Sequence, residues 1–224
     1  MRDMRLTILY DNEAKEGFRS GWGFSCLVEY NDKKILFDTG WDGDVLLHNM
    51  EKSGIAKEEI EAIVLSHHHW DHIGGLPLVL HSNVDVYLPK SFSKRLKHEI
   101  SHRARLHEVE QADEIIRGVY TTGELGDSIR EQALVLEGEE GLIVITGCAH
   151  PGLDIVLEAV RKFGEVSGAI GGFHSFDRLA QLDSLSLIAP CHCTAQKEAI
   201  RKRFPEKVMP CEAGHTIHVE VRRA

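Results

Sequence analysis

Short apolar runs alternate with amphipathic stretches along the whole chain, and their two periods predict an α/β fold. Leu6–Tyr10, Phe24–Tyr30 and Lys34–Phe37 have the β-branched, aromatic and alternating character of strands. Val45–Lys52 carries apolar residues at helical spacing and stops at Gly54, a residue suited to the left-handed position after a helix. Ala62–Leu65 predicts a buried strand ending at Ser66, and Val84–Leu88 predicts the next. Lys90–Glu110 is polar, locally basic and helix-like. A second half follows, with strands at Gly118–Thr122, Ala133–Leu136 and Leu142–Thr146. Pro151 then opens a helix at its first position, with a stripe at Leu153, Val156, Leu157, Val160 and Phe163 and a stop at Gly164. Strands near Gly168–Gly171 and Leu187–Ala189, a helix over Thr194–Phe204 with Thr194 as a cap, and strands at Lys207–Met209 and Thr216–Val219 complete the pattern. There is no low-complexity linker and no fixed-period repeat.

Two βα-rich halves, each starting with paired strands, predict two sheets packed together with helices outside. That architecture is a four-layer αββα sandwich, expected as one domain over residues 1–224, a length one core can serve.

Composition narrows the function. At 42% hydrophobic and 27% charged, the chain is not a disordered sequence. Its formal charge of -9 argues against general nucleic-acid binding, which needs a cationic surface. No apolar run approaches the roughly 18 residues of a membrane span, and Met1–Arg5 does not lead into a signal-peptide core. The five cysteines are odd in number, sparse, and form no Cys-x-x-Cys pair, so a cytoplasmic protein without a disulfide framework is expected. The unusual entry is histidine, with 14 residues.

Their placement is informative. In Ser66-His67-His68-His69-Trp70-Asp71-His72-Ile73-Gly74-Gly75, four ligand-type side chains fall within six residues after a buried strand. On an extended strand end His67 and His69 point the same way, and His68 points away. Asp71 and His72 follow where the chain turns into a helix at Gly74, so His67 with His69 could grip one ion and Asp71 with His72 a second. Distant strand ends offer closure: His150 in Thr146–Gly152, His174 after Gly171-Gly172-Phe173, and His192 in Pro190–Thr194.

The His67-x-His69-x-Asp71-His72 pattern resembles the signature of the metallo-β-lactamase superfamily, and Phe37-Asp38-Thr39-Gly40 resembles its first motif. Gly23–Ser25, Ser66–Leu76, Thr146–Gly152, Gly171–His174 and Pro190–Thr194 look more narrowly like its metal-dependent hydrolase branch, which includes an archaeal dihydropterin ribofuranosylaminobenzene 5′-phosphate synthase group. The resemblance implies one divalent ion on His67, His69 and His150, and another on Asp71, His72 and His192, with Asp38 orienting ligands. One departure stands out. The superfamily usually supplies a bridging carboxylate or cysteine between the last two histidine motifs, where this chain has Gly171-Gly172-Phe173-His174. Either His174 takes that place as a ligand or substrate contact, or a second ion is held more loosely.

Such a site acts on a small-molecule substrate through water or an oxygen polarised by the metal. Asp71 would hold the nucleophile and His174 would stabilise negative charge, giving a metal-dependent hydrolase or a diphosphate-displacing synthase. Zinc is the default ion, with iron, manganese or magnesium as alternatives. Lys90, Lys94, Arg95, Lys97, Arg103 and Arg105 could cover a phosphorylated or pterin-like substrate, or simply form a solvated helix face. The alternatives are a general ester, thioester or lactam hydrolase and a non-catalytic metal-binding or ligand-sensing protein. Cys148, Cys191 and Cys193 flank the metal histidines and could be nucleophiles or alternative ligands, but are expected mainly as small buried packing residues.

Overall fold

A computed structural model describes residues 3–221; Met1 and Arg2 lie outside them. The first half contains β1 (Asp3–Tyr10), β2 (Ser25–Tyr30), β3 (Lys33–Phe37), α1 (Gly43–Lys52), β4 (Ala62–Val64), α2 (Trp70–Ile73), α3 (Leu76–Val79), β5 (Asp85–Pro89), α4 (Lys94–Ser101) and β6 (Arg105–Val109). The second contains β7 (Gln111–Ile116), β8 (Val119–Gly123), β9 (Leu134–Glu137), β10 (Leu142–Thr146), α5 (Leu153–Arg161), β11 (Val166–Gly172), β12 (Leu187–Cys191) and α6 (Lys197–Arg203). A last strand, β13 (Thr216–Glu220), returns to pair with β1.

The strands form two sheets, ordered β13-β1-β2-β3-β4-β5-β6 and β12-β11-β10-β9-β8-β7. Each is antiparallel on one side and parallel on the other: β3 to β6 in the first sheet and β10 to β12 in the second. Strand alternation sorts the apolar residues into three layers of core. Ile35 and Phe37 of β3 meet Ile143 and Ile145 of β10 between the sheets. Leu36 points the other way, under Leu46 and Met50 of α1 and Val79 of α3. Val144 likewise lies under Val156, Leu157 and Val160 of α5 and Ile200 of α6. Strands covered on both faces read as near-continuous apolar runs, as Leu142–Thr146 does. The αββα sandwich therefore stands.

Several local expectations are corrected. Lys90–Glu110 is not one helix: α4 is eight residues long, and Arg105–Val109 is a strand parallel to β5, with Leu106 and Val109 on its more buried positions. Strand β7 was not expected, because an exposed edge strand needs no apolar alternation. Lys207–Met209 contributes only an isolated bridge, Val208 to Ile188. Helix α5 starts at Leu153 behind Gly152, whose φ of 106° suits glycine, so Pro151 precedes the helix and Phe163 lies beyond it, exposed. Helix α6 starts after Gln196, and Thr194 instead accepts from Phe173 N and donates to the Cys191 carbonyl. The turn into helix comes at Trp70, ahead of Gly74. Gly54 does occupy the left-handed position after α1, with φ of 72°.

Candidate metal centre

The clustered histidines converge because their loops leave the carboxyl ends of parallel strands, where such sheets open onto ligands. Asp38 follows β3, Ser66–His72 follows β4, Gly147–His150 follows β10, Phe173–His174 follows β11 and His192 follows β12. The two sheets approach closely here. A Cβ on Gly147 would lie 2.1 Å from Ser66 Oγ and 3.0 Å from Asp38 Oδ2, so only glycine lets the second sheet's loop meet the first.

Two of the donor groupings among the described residues bring the expected ligands together. In the first, His67 Nε2 and His150 Nε2 lie 3.1 and 3.2 Å from His69 Nδ1. In the second, His192 Nε2 lies 3.1 Å from Asp71 Oδ2, with His72 Nε2 3.8 Å from the same oxygen. His68 is exposed and turned toward Phe92. His174 is exposed and stands beside His150, ring centroids 5.0 Å apart, outside both sets.

Buried partners orient the rings. Asp38 is wholly buried; its Oδ2 accepts from His72 Nδ1 at 2.7 Å and from Ser66 Oγ at 2.6 Å, while Oδ1 accepts from Ser66 N. Ser66 Oγ in turn meets His67 Nδ1 at 2.9 Å. Asn12 Oδ1 meets His192 Nδ1 at 3.0 Å, and Asn12 Nδ2 donates to the His192 carbonyl. Each contact occupies the rear nitrogen and leaves Nε2 facing the site, the arrangement that fixes a metal-binding tautomer. Asp11 completes the His192 support by accepting from its backbone N–H at 2.6 Å.

Glu131 holds the His150 loop. It is buried in front of β9, and its Oε1 accepts from Gly147, Cys148 and Ala149 N–H while Oε2 accepts from His150 N–H, at 2.9–3.0 Å. Asn12, Asp11 and Glu131 were not singled out from the sequence. The only available hint was a polar residue standing directly beside a buried strand.

The electrostatics favour neutral imidazoles at His67, His69, His150 and His192, and not at His72. Burial, then the neighbouring rings, pushes His67 well below its ordinary value and His150 down to about 4; burial also lowers His69 and His192. Burial works against a charged His72 as well, but the Asp38 carboxylate outweighs it and raises that group. Burial opposes ionisation of Asp71, yet His192 and His72 hold its carboxyl well below the usual range. Unprotonated histidines beside an ionised carboxylate are the donor chemistry a divalent ion requires.

Two further expectations change. Cys191 is not a free packing thiol: it forms a disulfide with Cys211, leaving Cys26, Cys148 and Cys193 free. Half of the basic stretch is neutralised, since Lys90 pairs with Glu110, Lys97 with Glu108 and Arg105 with Asp85.

Residues 23–163 match the metallo-beta-lactamase superfamily. The chain belongs to that superfamily. Within it, the chain is 30% identical over 206 residues to an uncharacterized protein of Methanocaldococcus jannaschii, covering 75% of this chain and 78% of that one. It is 27% identical over 269 aligned positions to the 7,8-dihydropterin-6-methyl-4-(beta-D-ribofuranosyl)-aminobenzene-5'-phosphate synthase of the same organism, covering 89% and 90%. The crystal structure of Tm1679, described as a metal-dependent hydrolase of the beta-lactamase superfamily, superposes with a TM-score of 0.82 at 31% identity, covering 96% and 98%. This metallo-beta-lactamase fold implies divalent-metal binding, and its relatives include both hydrolases and a synthase.

Proposed function

We propose that the protein is a metal-dependent enzyme acting on a small phosphorylated or pterin-like substrate, by hydrolysis or by displacement of diphosphate. The observation that carries this is the pair of donor sets, His67/His69/His150 and Asp71/His72/His192, with rear ring nitrogens of His67, His72 and His192 occupied by Ser66, Asp38 and Asn12. These residues fit one or two divalent ions, zinc by donor type. A bound ion supplies Lewis acidity and brings the pKa of coordinated water to about 7.

The remaining chemistry falls to the chain. Asp71, kept ionised, accepts a hydrogen bond from the attacking group and aligns it. His174 stands at the edge of the ligand cluster, where its ring offers an N–H to a developing anionic oxygen. Between His174 and the start of α5 lies a cavity of about 370 Å³ lined by His150, Asp154, Phe173, His174 and Arg178. His174 is the donor a phosphate would meet there, while Arg178 pairs with Asp154 across the same cavity.

The ring-binding half of the reading comes from tryptophan. The chain has three, and all are 50–58% exposed. Trp70 lies between His69 and Asp71, Trp22 sits 4.9 Å from the His192 ring, and the Trp41 backbone packs against Gly23 and Gly74 beside the same loop. Exposed aromatic faces at a site mouth suit a planar heterocycle. The synthase relative's name carries such a ring and a phosphate.

The test is metal analysis of the purified protein, then a panel of phosphodiesters, diphosphates, thioesters and lactams. Metal lost on His67→Ala and turnover of phosphorylated compounds are expected. Turnover confined to thioesters or lactams selects the general hydrolase, and metal binding without turnover selects the ligand-sensing alternative.

A further inference from the structure

The set Asp71, His72 and His192 is one donor short of a closed tetrahedron, and the end of β11 brings no carboxylate to complete it. We propose that the Cys148 sulfur fills this position, a ligand standing between the two ion sites. The inference rests on the metal-dependent reading above.

Cys148 Sγ lies 3.2 Å from His72 Nε2, the ring nitrogen that Asp38 leaves bare. The same sulfur clusters with ligand atoms of His67 and His72 on one side, and of His192 and Cys193 on the other. It therefore reaches donors of both sets, whereas Cys193 joins only the second. Three of the six edges of such a tetrahedron, Asp71–His192 at 3.1 Å, His72–Cys148 at 3.2 Å and Asp71–His72 at 3.8 Å, are compatible with an ion bound at about 2.0–2.3 Å.

The lining of β11 explains why no carboxylate sits there. A Cβ on Gly172 would lie 2.4 Å from the Gly147 carbonyl, 2.7 Å from Cys193 Sγ and 3.1 Å from Cys148 Cα. The loops that carry the cysteines occupy the space a side chain at the strand tip would need. Cys148 is moreover held by the carboxylate that sets His150: its N–H donates to Glu131 Oε1 at 2.9 Å. Coordination forms a metal–sulfur bond from a sulfur lone pair, and the thiol proton leaves to solvent.

X-ray absorption of the zinc-loaded wild-type protein tests this without any variant. It should contain a Zn–S distance of about 2.3 Å beside the nitrogen and oxygen shell. Cobalt(II)-loaded protein should show a sulfur-to-cobalt charge-transfer band that Cys148→Ser abolishes and Cys193→Ser retains, with affinity for the second ion reduced at least about tenfold in Cys148→Ser. Scattering by nitrogen and oxygen alone, or a band that survives Cys148→Ser, overturns the assignment. A protein that binds no metal at all defeats the metal-dependent reading instead, so the two failures are distinguishable.

Discussion

Glu131→Gln isolates how a buried carboxylate builds a ligand loop. The wild-type side chain accepts four backbone N–H groups, three on Oε1 and that of His150 on Oε2. Burial pushes this carboxyl upward, and the N–H groups of His150, Ala149 and Cys148 partly offset the shift. Every close contact is a donor, so the arrangement suits an acceptor-only group. Glutamine keeps one accepting oxygen but turns an NH₂ toward either His150 N–H or the other three. One charge-assisted bond is lost, worth about 1.5–3 kcal/mol, and a buried donor is left unpaired at a further ~1–3 kcal/mol. A total of about 2.5–6 kcal/mol, divided by an m-value of roughly 2–3 kcal/mol/M for a chain of this size, lowers the urea midpoint by about 1–3 M. The assay is urea unfolding followed by circular dichroism on chelator-treated protein, so that bound metal adds nothing to the folded state. A midpoint within about 0.3 M of wild type, at unchanged m, would refute the account of the loop.

Asn12→Ala frees the His192 ring and should weaken affinity for the second ion by about 10–100-fold while leaving the first unchanged, measured by competition with a chromophoric chelator. Leu36→Ala opens a cavity under α1 and should cost about 2–5 kcal/mol in the same urea assay. The pH dependence of the metal-free protein follows from His150. Folded, its imidazole stays neutral down to about 4, whereas in the unfolded chain it titrates near ~6.5. The unfolded state thus binds more protons between those values, and stability falls as pH drops through that window. His150→Ala should flatten the fall in Tm between about pH 7 and 4.5, and parallel profiles for variant and wild type would contradict it.

Most of the architecture was legible because strands covered on both faces are apolar throughout, and the helices between them keep a clean stripe. The failures have a common cause. Arg105–Val109 and Gln111–Ile116 lie at sheet edges, where solvent replaces the second packed layer and the hydrophobic pattern fades. Thr194 looked like a cap because a threonine before a helix usually is one, yet its hydroxyl serves the Phe173 and Cys191 backbone. In the site, the histidines announce themselves by spacing along one loop and by recurrence at strand ends. Asn12, Asp11 and Glu131 lack such a signal. The histidines they support lie 19 to 181 residues away, and nothing local distinguishes a buried carboxylate from a solvated one.

The strap between the chain's two ends has a consequence for how the protein matures. His192 is oriented by Asp11 and Asn12, which directly follow β1, and β1 is itself closed by β13 at residues 216–220. During synthesis the histidines at 67, 69 and 72 leave the ribosome long before this closure can form. Until then the early histidines and Asp71 form an incomplete, weakly specific set of donors. On the ligand set proposed above, the ring of His192 is therefore oriented by residues that follow β1, the strand that β13 closes.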